Sequence, residues 1–140
     1  YKEIYYNEIK HLVHDKRDQI KFLGSVSYNA LISIFAISTA HVYFTYPFVL
    51  SWSMLEAMAM EALIIGSKTA PVEEVIKHNK NGLLVDFHDI KDLSNTVNNV
   101  LDNRDDYDNI RKNGRQTIVD NYDLHSICLP KHLELIDSLK

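Results

Sequence analysis

SMLEAMAMEALIIG, at residues 53–66, is the stretch that decides the fold. Its first part, up to Met60, is compatible with a helix. The apolar run at residues 63–66 is typical of a strand that is buried on both faces of a sheet. A helix that leads into such a strand is the repeating unit of parallel α/β sheets.

The same alternation continues on both sides of this stretch. Residues 20–23, 42–44 and 83–85 predict further strands, and residues 72–78 predict a helix that Pro71 begins. Other helices are predicted where apolar or small residues recur at helical spacing: Ile4, Tyr5, Ile9 and Leu12; Tyr28, Leu31, Ile32 and Phe35; Leu93, Val97, Val100 and Leu101; Ile110, Gly114 and Ile118; Leu133, Ile136 and Leu139. The sequence therefore predicts an α/β fold with a doubly wound parallel sheet.

The composition indicates one globular domain spanning residues 1–140. The chain is 46% apolar and 24% charged, and its formal net charge of −4 without a basic block argues against a nucleic-acid partner. No apolar run reaches the roughly 18 residues of a membrane span and no signal sequence is recognisable, so we expect a cytoplasmic protein. Because the chain begins with Tyr1 rather than Met, we also expect a fragment of a longer protein.

The loop at residues 45–53 is a candidate anion site. It follows a predicted strand and leads into a helix, whose first N–H groups and positive dipole end accept a phosphate or carboxylate without a basic side chain. Ser51 and Ser53 add hydroxyl donors. The alternative is that one of these serines is only the N-cap of the helix. Their position in the sequence leaves both interpretations open.

Glu56 lies one turn into this helix among apolar neighbours, so we expect the whole helix to be buried. A buried carboxylate needs a partner because its desolvation costs several kcal/mol. The candidates are a buried Arg or Lys, backbone donors, or the two vicinal hydroxyls of a ligand. Glu56 is accordingly either a structural acid or a ligand-binding one.

The remaining candidate residues and motifs give only weak indications of phosphate binding, metal binding or nucleophilic catalysis. Lys68 follows a predicted strand and is either a phosphate contact or a solvated loop lysine. The seven His are scattered without metal-ligand spacing, and Cys128 has no activating neighbour, which argues against zinc and against a Cys–His nucleophile. No G-x-G-x-x-G or Walker A pattern occurs.

Residues 48–67 read F-V-L-S-W-S-M-L-E-A-M-A-M-E-A-L-I-I-G-S. This segment resembles the donor site of the family-four retaining glycosyltransferases, the group 1 glycosyl transferases, which have the two-domain GT-B fold. The resemblance continues through residues 70–76 and through N-G-L-L-V at residues 81–85, and upstream it includes K-F-L-G at residues 21–24. It covers essentially the whole chain and is most specific between residues 48 and 85.

The resemblance implies the Rossmann-like C-terminal half of such an enzyme, which binds a nucleotide-diphosphate sugar while an N-terminal half binds a glycan or lipid acceptor. It implies retaining transfer with no cofactor and no metal, and peripheral membrane association through the acceptor half is one option. Glu56 matches the glutamate that binds the ribose hydroxyls, Ser51, Trp52 and Ser53 match the backbone donors to the diphosphate, and Ser25 and Val26 match positions near the nucleobase. No catalytic residue is assigned.

The sequence departs from the family pattern in three ways. Phe48 replaces the leading glutamate that is directed at the donor sugar, so we expect sugar recognition by backbone groups, a different sugar preference or weakened activity. Glu61 replaces a glycine that ends the donor helix in a left-handed conformation, so we expect either local strain or a different helix end there. The family's basic pair and the first strands of the sheet have no counterpart here, so we expect the isolated chain to be inactive and prone to self-association. The alternative function is a non-catalytic nucleotide-binding or interaction module left from a truncated transferase.

Overall fold

The structure, a computed structural model, describes residues 19–46 and 49–139. Its elements in chain order are helix α1 (Tyr28–Ile37), strand β1 (Ala40–Tyr43), helix α2 (Trp52–Ala59), strand β2 (Leu63–Ser67), helix α3 (Ala70–Val75), strand β3 (Leu83–Val85), helix α4 (Ile90–Asp102), a 3-10 turn (Arg104–Tyr107), helix α5 (Asp108–Tyr122), a π-helical turn (Leu124–Cys128) and helix α6 (Leu129–Ser138). The predicted α/β alternation is confirmed.

The described residues form a parallel three-stranded sheet in the order β1-β2-β3. The central strand β2 pairs on both sides, with Leu63 opposite Ala40 and Ile65 opposite Leu83. All five of its residues are buried, as the apolar run predicted. Gly66 is required in this strand because a Cβ there would lie 2.9 Å from Cγ1 of Val72 on α3.

Helices cover both faces of the sheet. Ile64 of β2 belongs to one core cluster, whose other members come mainly from β1, α1, α2 and α3: Phe35, Tyr43, Met54, Ala57, Met58, Ala62, Val72, Val75 and Ile76. Its neighbours Leu63 and Ile65 belong to a second cluster with Leu83, Val85 and Val100, against which Leu93 and Val97 of α4 pack. Side chains of a strand alternate between its two faces, so the sheet is doubly wound, as predicted.

The predicted strand at residues 20–23 does not form. Ile20, Phe22 and Leu23 are 37%, 50% and 57% exposed, and β1 pairs only with β2 among the described strands. A short apolar run becomes a strand when a neighbour pairs with it, which the run itself does not encode. Gly24 has a positive φ of +63°, and the chain bends at the next residue, Ser25. The helix predicted from Ile4 to Leu12 lies outside the described residues.

Helix α3 ends earlier than predicted. It stops at Val75 rather than at His78, because the Asn81 side chain takes the place of helical bonds. Asn81 Oδ1 accepts from the Lys77 N–H at 2.7 Å, and Asn81 Nδ2 donates to the Val75 carbonyl at 3.0 Å.

The C-terminal helices contribute fewer buried residues to the core. Leu101 is exposed, although its spacing predicted that it would share the buried face of α4. The α5 stripe is confirmed, with Gly114 buried and Ile118 packed against the first core cluster. Helix α6 contains no buried residue. Among the described residues, no helix is long and apolar enough to cross a membrane.

Candidate functional site

The carboxyl ends of β1 and β2 are joined by the Ser67 hydroxyl. Ser67 is fully buried, and its Oγ accepts from the Thr45 N–H at 3.3 Å and lies 3.3 Å from the Thr45 carbonyl oxygen. The Thr69 hydroxyl lies 3.3 Å from the same Ser67 Oγ. The loop that connects β1 to α2 therefore starts from a fixed point at the ligand-binding edge of the sheet.

Helix α2 begins at the same edge. Ser51 is its N-cap, and Ser51 Oγ accepts from the Ser53 N–H at 3.3 Å and lies 3.0 Å from Ser53 Oγ. The Ser51 N–H donates to the hydroxyl of the buried Tyr43 at 2.8 Å, which fixes the cap to β1. Trp52 is 80% exposed. The first turn contains no acidic residue, so no side-chain charge there offsets the positive end of the helix dipole.

Glu56 is half-buried, which corrects the expectation of a wholly buried helix. Met54, Ala57 and Met58 occupy the face toward the core, and Glu56 lies to the side because only one face of α2 packs on the sheet. Tyr28, the first residue of α1, lines a cavity together with Glu56. The nearby Glu56 carboxylate, as a hydrogen-bond acceptor and as a negative charge, raises the pKa of the Tyr28 hydroxyl.

Tyr28 is the site residue that sequence reasoning missed. It entered the sequence analysis only as one of the periodic positions of α1, and none of the partners expected for Glu56 was a tyrosine hydroxyl. The one available signal was that Tyr28 follows Ser25 and Val26 closely and begins α1. Tyr28 and Glu56 line the same cavity, so the start of α1 lies to the side of α2.

Two cavities lie on either side of Glu56. The first has a volume of about 500 Å³, lies between α1 and α2, and is lined by Tyr28, Asn29, Ile32, Ser33, Glu56, Ala59 and Met60. The second, of about 440 Å³, lies between α2 and the C-terminal helices and is lined by Leu50, Trp52, Leu55, Glu56, Ala59, Ile118, Tyr122 and Cys128. The Glu56 carboxylate is the charged group common to both cavities.

The remaining predicted site residues are placed as follows. Ser25 and Val26 precede the α1 N-cap, Ser27, whose Oγ accepts from the Ala30 N–H at 3.3 Å. Lys68 is exposed and lines a separate cavity with Lys77 and His78, away from Glu56. Phe48 lies outside the described residues. Within the described ranges, no three His, Cys, Asp or Glu residues cluster in a way that could hold a metal ion.

The C-terminal end of α2 is held by two arginines of α5. Arg111 Nε donates to the Glu61 carbonyl at 2.8 Å, and Arg115 donates to the Ala59 carbonyl. Glu61 has φ of +60°, so the left-handed conformation expected at this position is present without a glycine. Its carboxylate lies 3.7 Å from Arg115 Nε, and Arg111 also pairs with Asp108 at 3.7 Å. These contacts offset part of the strain at Glu61.

Comparison with protein families gives a match to the family described as Glycosyl transferases group 1, over residues 5–117. No sequence among curated proteins matches the chain.

Solved structures match the fold closely. Sucrose-phosphate synthase (tll1590) from Thermosynechococcus elongatus is 22% identical with a TM-score of 0.84, and the match covers 97% of this chain and 34% of that one. Anabaena Alr3699/HepE in complex with UDP and glucose is 18% identical with a TM-score of 0.86, over 96% and 37%. The C-terminal domain of LpcC from Francisella tularensis is 20% identical with a TM-score of 0.75, over 86% and 64%. The chain thus spans about a third of the length of the first two proteins.

Proposed function

Because the chain belongs to the group 1 glycosyl transferases, we propose that it is the donor-binding domain of a glycosyltransferase and that its ligand is a nucleoside diphosphate sugar. The single observation that carries this proposal is the placement of the Glu56 carboxylate one turn beyond a helix start without acidic residues. The Glu56 carboxylate suits hydroxyl groups of a ligand, which would donate to it, and the start of the helix suits an anion. A nucleoside diphosphate carries both groups.

The spacing along α2 supports this assignment. At a rise of 1.5 Å per residue, Glu56 lies roughly 6 Å along the helix axis from Trp52. The Trp52 N–H and the hydroxyls of Ser51 and Ser53 would receive the diphosphate, and the N–H groups of Ser51 and Ser53 would join them only by giving up their present acceptors, the Tyr43 hydroxyl and Ser51 Oγ. The Glu56 carboxylate would accept from the ribose hydroxyls. Ser25 and Val26 would lie near the nucleobase, because the loop that holds them leads directly to Tyr28, which lines a cavity together with Glu56.

The carboxylate has acceptor capacity for this role. Two carboxylate oxygens offer about four lone-pair positions, which is more than the two vicinal hydroxyls of a ribose need. UDP is the first nucleotide to test, since HepE and a TarM variant from S. aureus, both similar to this chain in fold, have each been solved with UDP.

We further propose retaining, metal-independent transfer to a glycan or lipid acceptor. Donors that are already oriented at a helix start stabilise the negative charge of a departing diphosphate without reorganisation, which is the largest contribution in many enzymes. The acceptor would bind to a second half, and residues 1–140 would form one donor-binding domain within such a protein. The cytoplasmic location stays a prediction from the sequence.

A non-catalytic nucleotide-binding module is the second candidate. The observation that favours it is Phe48, which stands where the family directs a glutamate at the donor sugar. A phenyl ring cannot accept a hydrogen bond from a sugar hydroxyl in the way a carboxylate does. In this second case the chain would bind UDP and UDP-sugars equally well, whereas a donor domain would prefer the sugar nucleotide.

Calorimetric titration of the chain with UDP, GDP, ADP and their glucose derivatives tests the proposal. We expect one of these nucleotides to bind selectively and Glu56→Gln to weaken it by about tenfold or more, since a hydrogen bond to a charged group contributes about 1.5–3 kcal/mol. Glu61→Gln is the matched control, because Glu61 follows the same helix and lines neither cavity beside Glu56. Equal affinities of the wild type and Glu56→Gln would refute the assignment.

A further inference from the structure

A third cavity, beside α3 and β3, has a lining of a different chemical kind. Its volume is about 450 Å³, and it is lined by Lys68, Glu73, Ile76, Lys77, His78 and Leu84. None of these residues lines either cavity beside Glu56, and the proposed function uses none of them.

Two ammonium groups line this cavity against a single carboxylate. Lys68 and Lys77 are exposed, and neither forms an ion pair with a carboxylate of the described residues. Lys77 Nζ instead donates to the Glu73 carbonyl at 2.6 Å, which holds the ammonium group in place without neutralising its charge. The chain as a whole has a formal net charge of −4, so this excess of positive charge is local. An anion in the cavity would be attracted by both lysines.

His78 adds a hydrogen-bond donor whose position is fixed. His78 Nδ1 accepts from the Leu84 N–H at 3.0 Å, so the proton of the neutral imidazole is on Nε2. The ring is exposed and lines the cavity, which leaves this Nε2–H group available to an acceptor there. Lys68 is held at the same edge of the sheet, because its N–H donates to the Val85 carbonyl at 2.7 Å.

These donors match a phosphate group better than a carboxylate. A phosphate monoester has close to two negative charges and three acceptor oxygens, whereas a carboxylate has one charge and would leave one lysine uncompensated. The cavity is also large enough for a small organic molecule rather than for the anion alone. The half-buried Leu84 provides an apolar surface for the organic group.

We propose that this cavity is a second ligand site, which binds the phosphate group of a small phosphomonoester through Lys68, Lys77 and His78. The two ammonium groups and the His78 Nε2–H contact the phosphate oxygens, and the organic group lies against Leu84. Of the two interpretations that the sequence left open for Lys68, this assigns it to the phosphate contact. The site does not depend on Glu56, so either assignment can fail without the other.

Phenyl phosphate, inorganic phosphate and phenol are titrated separately into the ¹⁵N-labelled chain. At about pH 8 the phosphate groups carry close to two negative charges, since the second pKa of a phosphate ester is about 6. Shifts of the amide signals of Lys68, Lys77 and His78 locate the binding and give its dissociation constant. We expect phenyl phosphate to bind there, inorganic phosphate to bind more weakly and phenol not to bind. Absence of these shifts with phenyl phosphate, or equal affinity for inorganic phosphate, overturns the proposal.

Variants that each remove one charge test the named groups. Lys68→Gln should weaken the binding of phenyl phosphate by about 2- to 5-fold, and Glu73→Gln, which removes the opposing carboxylate, should tighten it by a similar factor. Lys91→Gln on α4 is the matched control, because it makes the same charge change and lines none of the three cavities. An equal loss in Lys91→Gln, or weaker binding in a Glu73→Gln chain whose amide spectrum shows the native fold, refutes the site.

Titration of Lys68→Gln with UDP separates this site from the one proposed at Glu56. The UDP affinity is expected to equal that of the wild type, because the two sites share no lining residue. Parallel losses of UDP and phenyl phosphate affinity would assign the cavity to the diphosphate of the nucleotide and overturn a separate site. Binding of phenyl phosphate by a wild type that binds no nucleotide supports this site and refutes only the function proposed for Glu56.

Discussion

Helices α2 and α6 have similar lengths and are both rich in apolar residues, yet they are buried to very different extents. Met54, Ala57 and Met58 of α2 are completely buried, whereas no residue of α6 is buried and Leu135 remains 60% exposed. The difference lies in the element that faces each helix. Helix α2 packs on the sheet, whereas α6 follows the π-helical turn at the periphery. Apolar periodicity predicts a helix, but the neighbouring element determines whether its apolar face contributes to stability.

The largest effect should come from truncating a core side chain of α2. Met58→Ala is expected to lower the free energy of unfolding by about 2–5 kcal/mol, because it leaves a cavity beneath the buried face of the helix. Leu135→Ala on α6 should change it by no more than about 0.5 kcal/mol. Urea denaturation followed by circular dichroism measures both. Similar losses in the two variants would show that α6 is as important to the folded chain as α2.

A second prediction concerns the imidazole ring of His41, which packs against an aromatic side chain. His41 of β1 packs edge-on against Phe35, with ring centroids 5.0 Å apart, and its Nε2 is buried without a hydrogen-bond partner among the described residues. Burial lowers the pKa of His41 below the ordinary value of 6.5. The unfolded chain therefore binds this proton more readily than the folded one, and folding stability is lost as the pH falls below about 6.5.

Denaturation midpoints measured at a series of pH values test this assignment. His41→Phe keeps an aromatic ring beside Phe35 and removes the titrating group. We expect the loss of stability on acidification to be shallower in this variant than in the wild type. An identical pH profile would mean that other groups account for the acid sensitivity.

The smallest effect is expected where α2 meets α5. Glu61→Gly relieves a left-handed conformation that costs a residue with a side chain about 1–2 kcal/mol. The variant also loses an exposed ion pair with Arg115, which contributes about 0–1 kcal/mol. We therefore expect a net gain of about 0.5 kcal/mol in the free energy of unfolding, measured by urea denaturation. Glu61→Ala, which loses the same ion pair and keeps the strain, should be destabilised instead.

Local patterns predicted the centre of the fold well. The helix and buried strand at residues 53–66 were visible in the sequence, since every feature needed for them lies within a few residues. The strand expected at residues 20–23 failed for the opposite reason, because strand formation depends on a partner elsewhere. The family resemblance likewise indicated either local strain or a different helix end at Glu61, and the structure shows the left-handed conformation, but nothing in the sequence indicated Arg111, which is 50 residues away along the chain.

The candidate site was predictable to a similar degree. Glu56 and the serines of the α2 start were identified from their neighbours and from the family resemblance. The half-buried state of Glu56 and the cavity that it lines with Tyr28 depend on how α1 packs beside α2, which no local pattern encodes. The sequence therefore indicated the carboxylate, and the structure supplied its neighbour on α1.

The two ends of α2 are electrically unequal. At the C-terminal end, donors from Arg111 and Arg115 meet the partial negative charge of the last carbonyl groups, and at the other end no acidic side chain meets the partial positive charge. At long range these partial charges are outweighed by full ones, since Glu56 lies within the helix and Arg111 and Arg115 are paired with Asp108 and Glu61. The N–H groups at the helix start therefore act on an anion only within the first turn, as directional donors at close range. This asymmetry favours selection of a bound anion by its geometry rather than its attraction from afar.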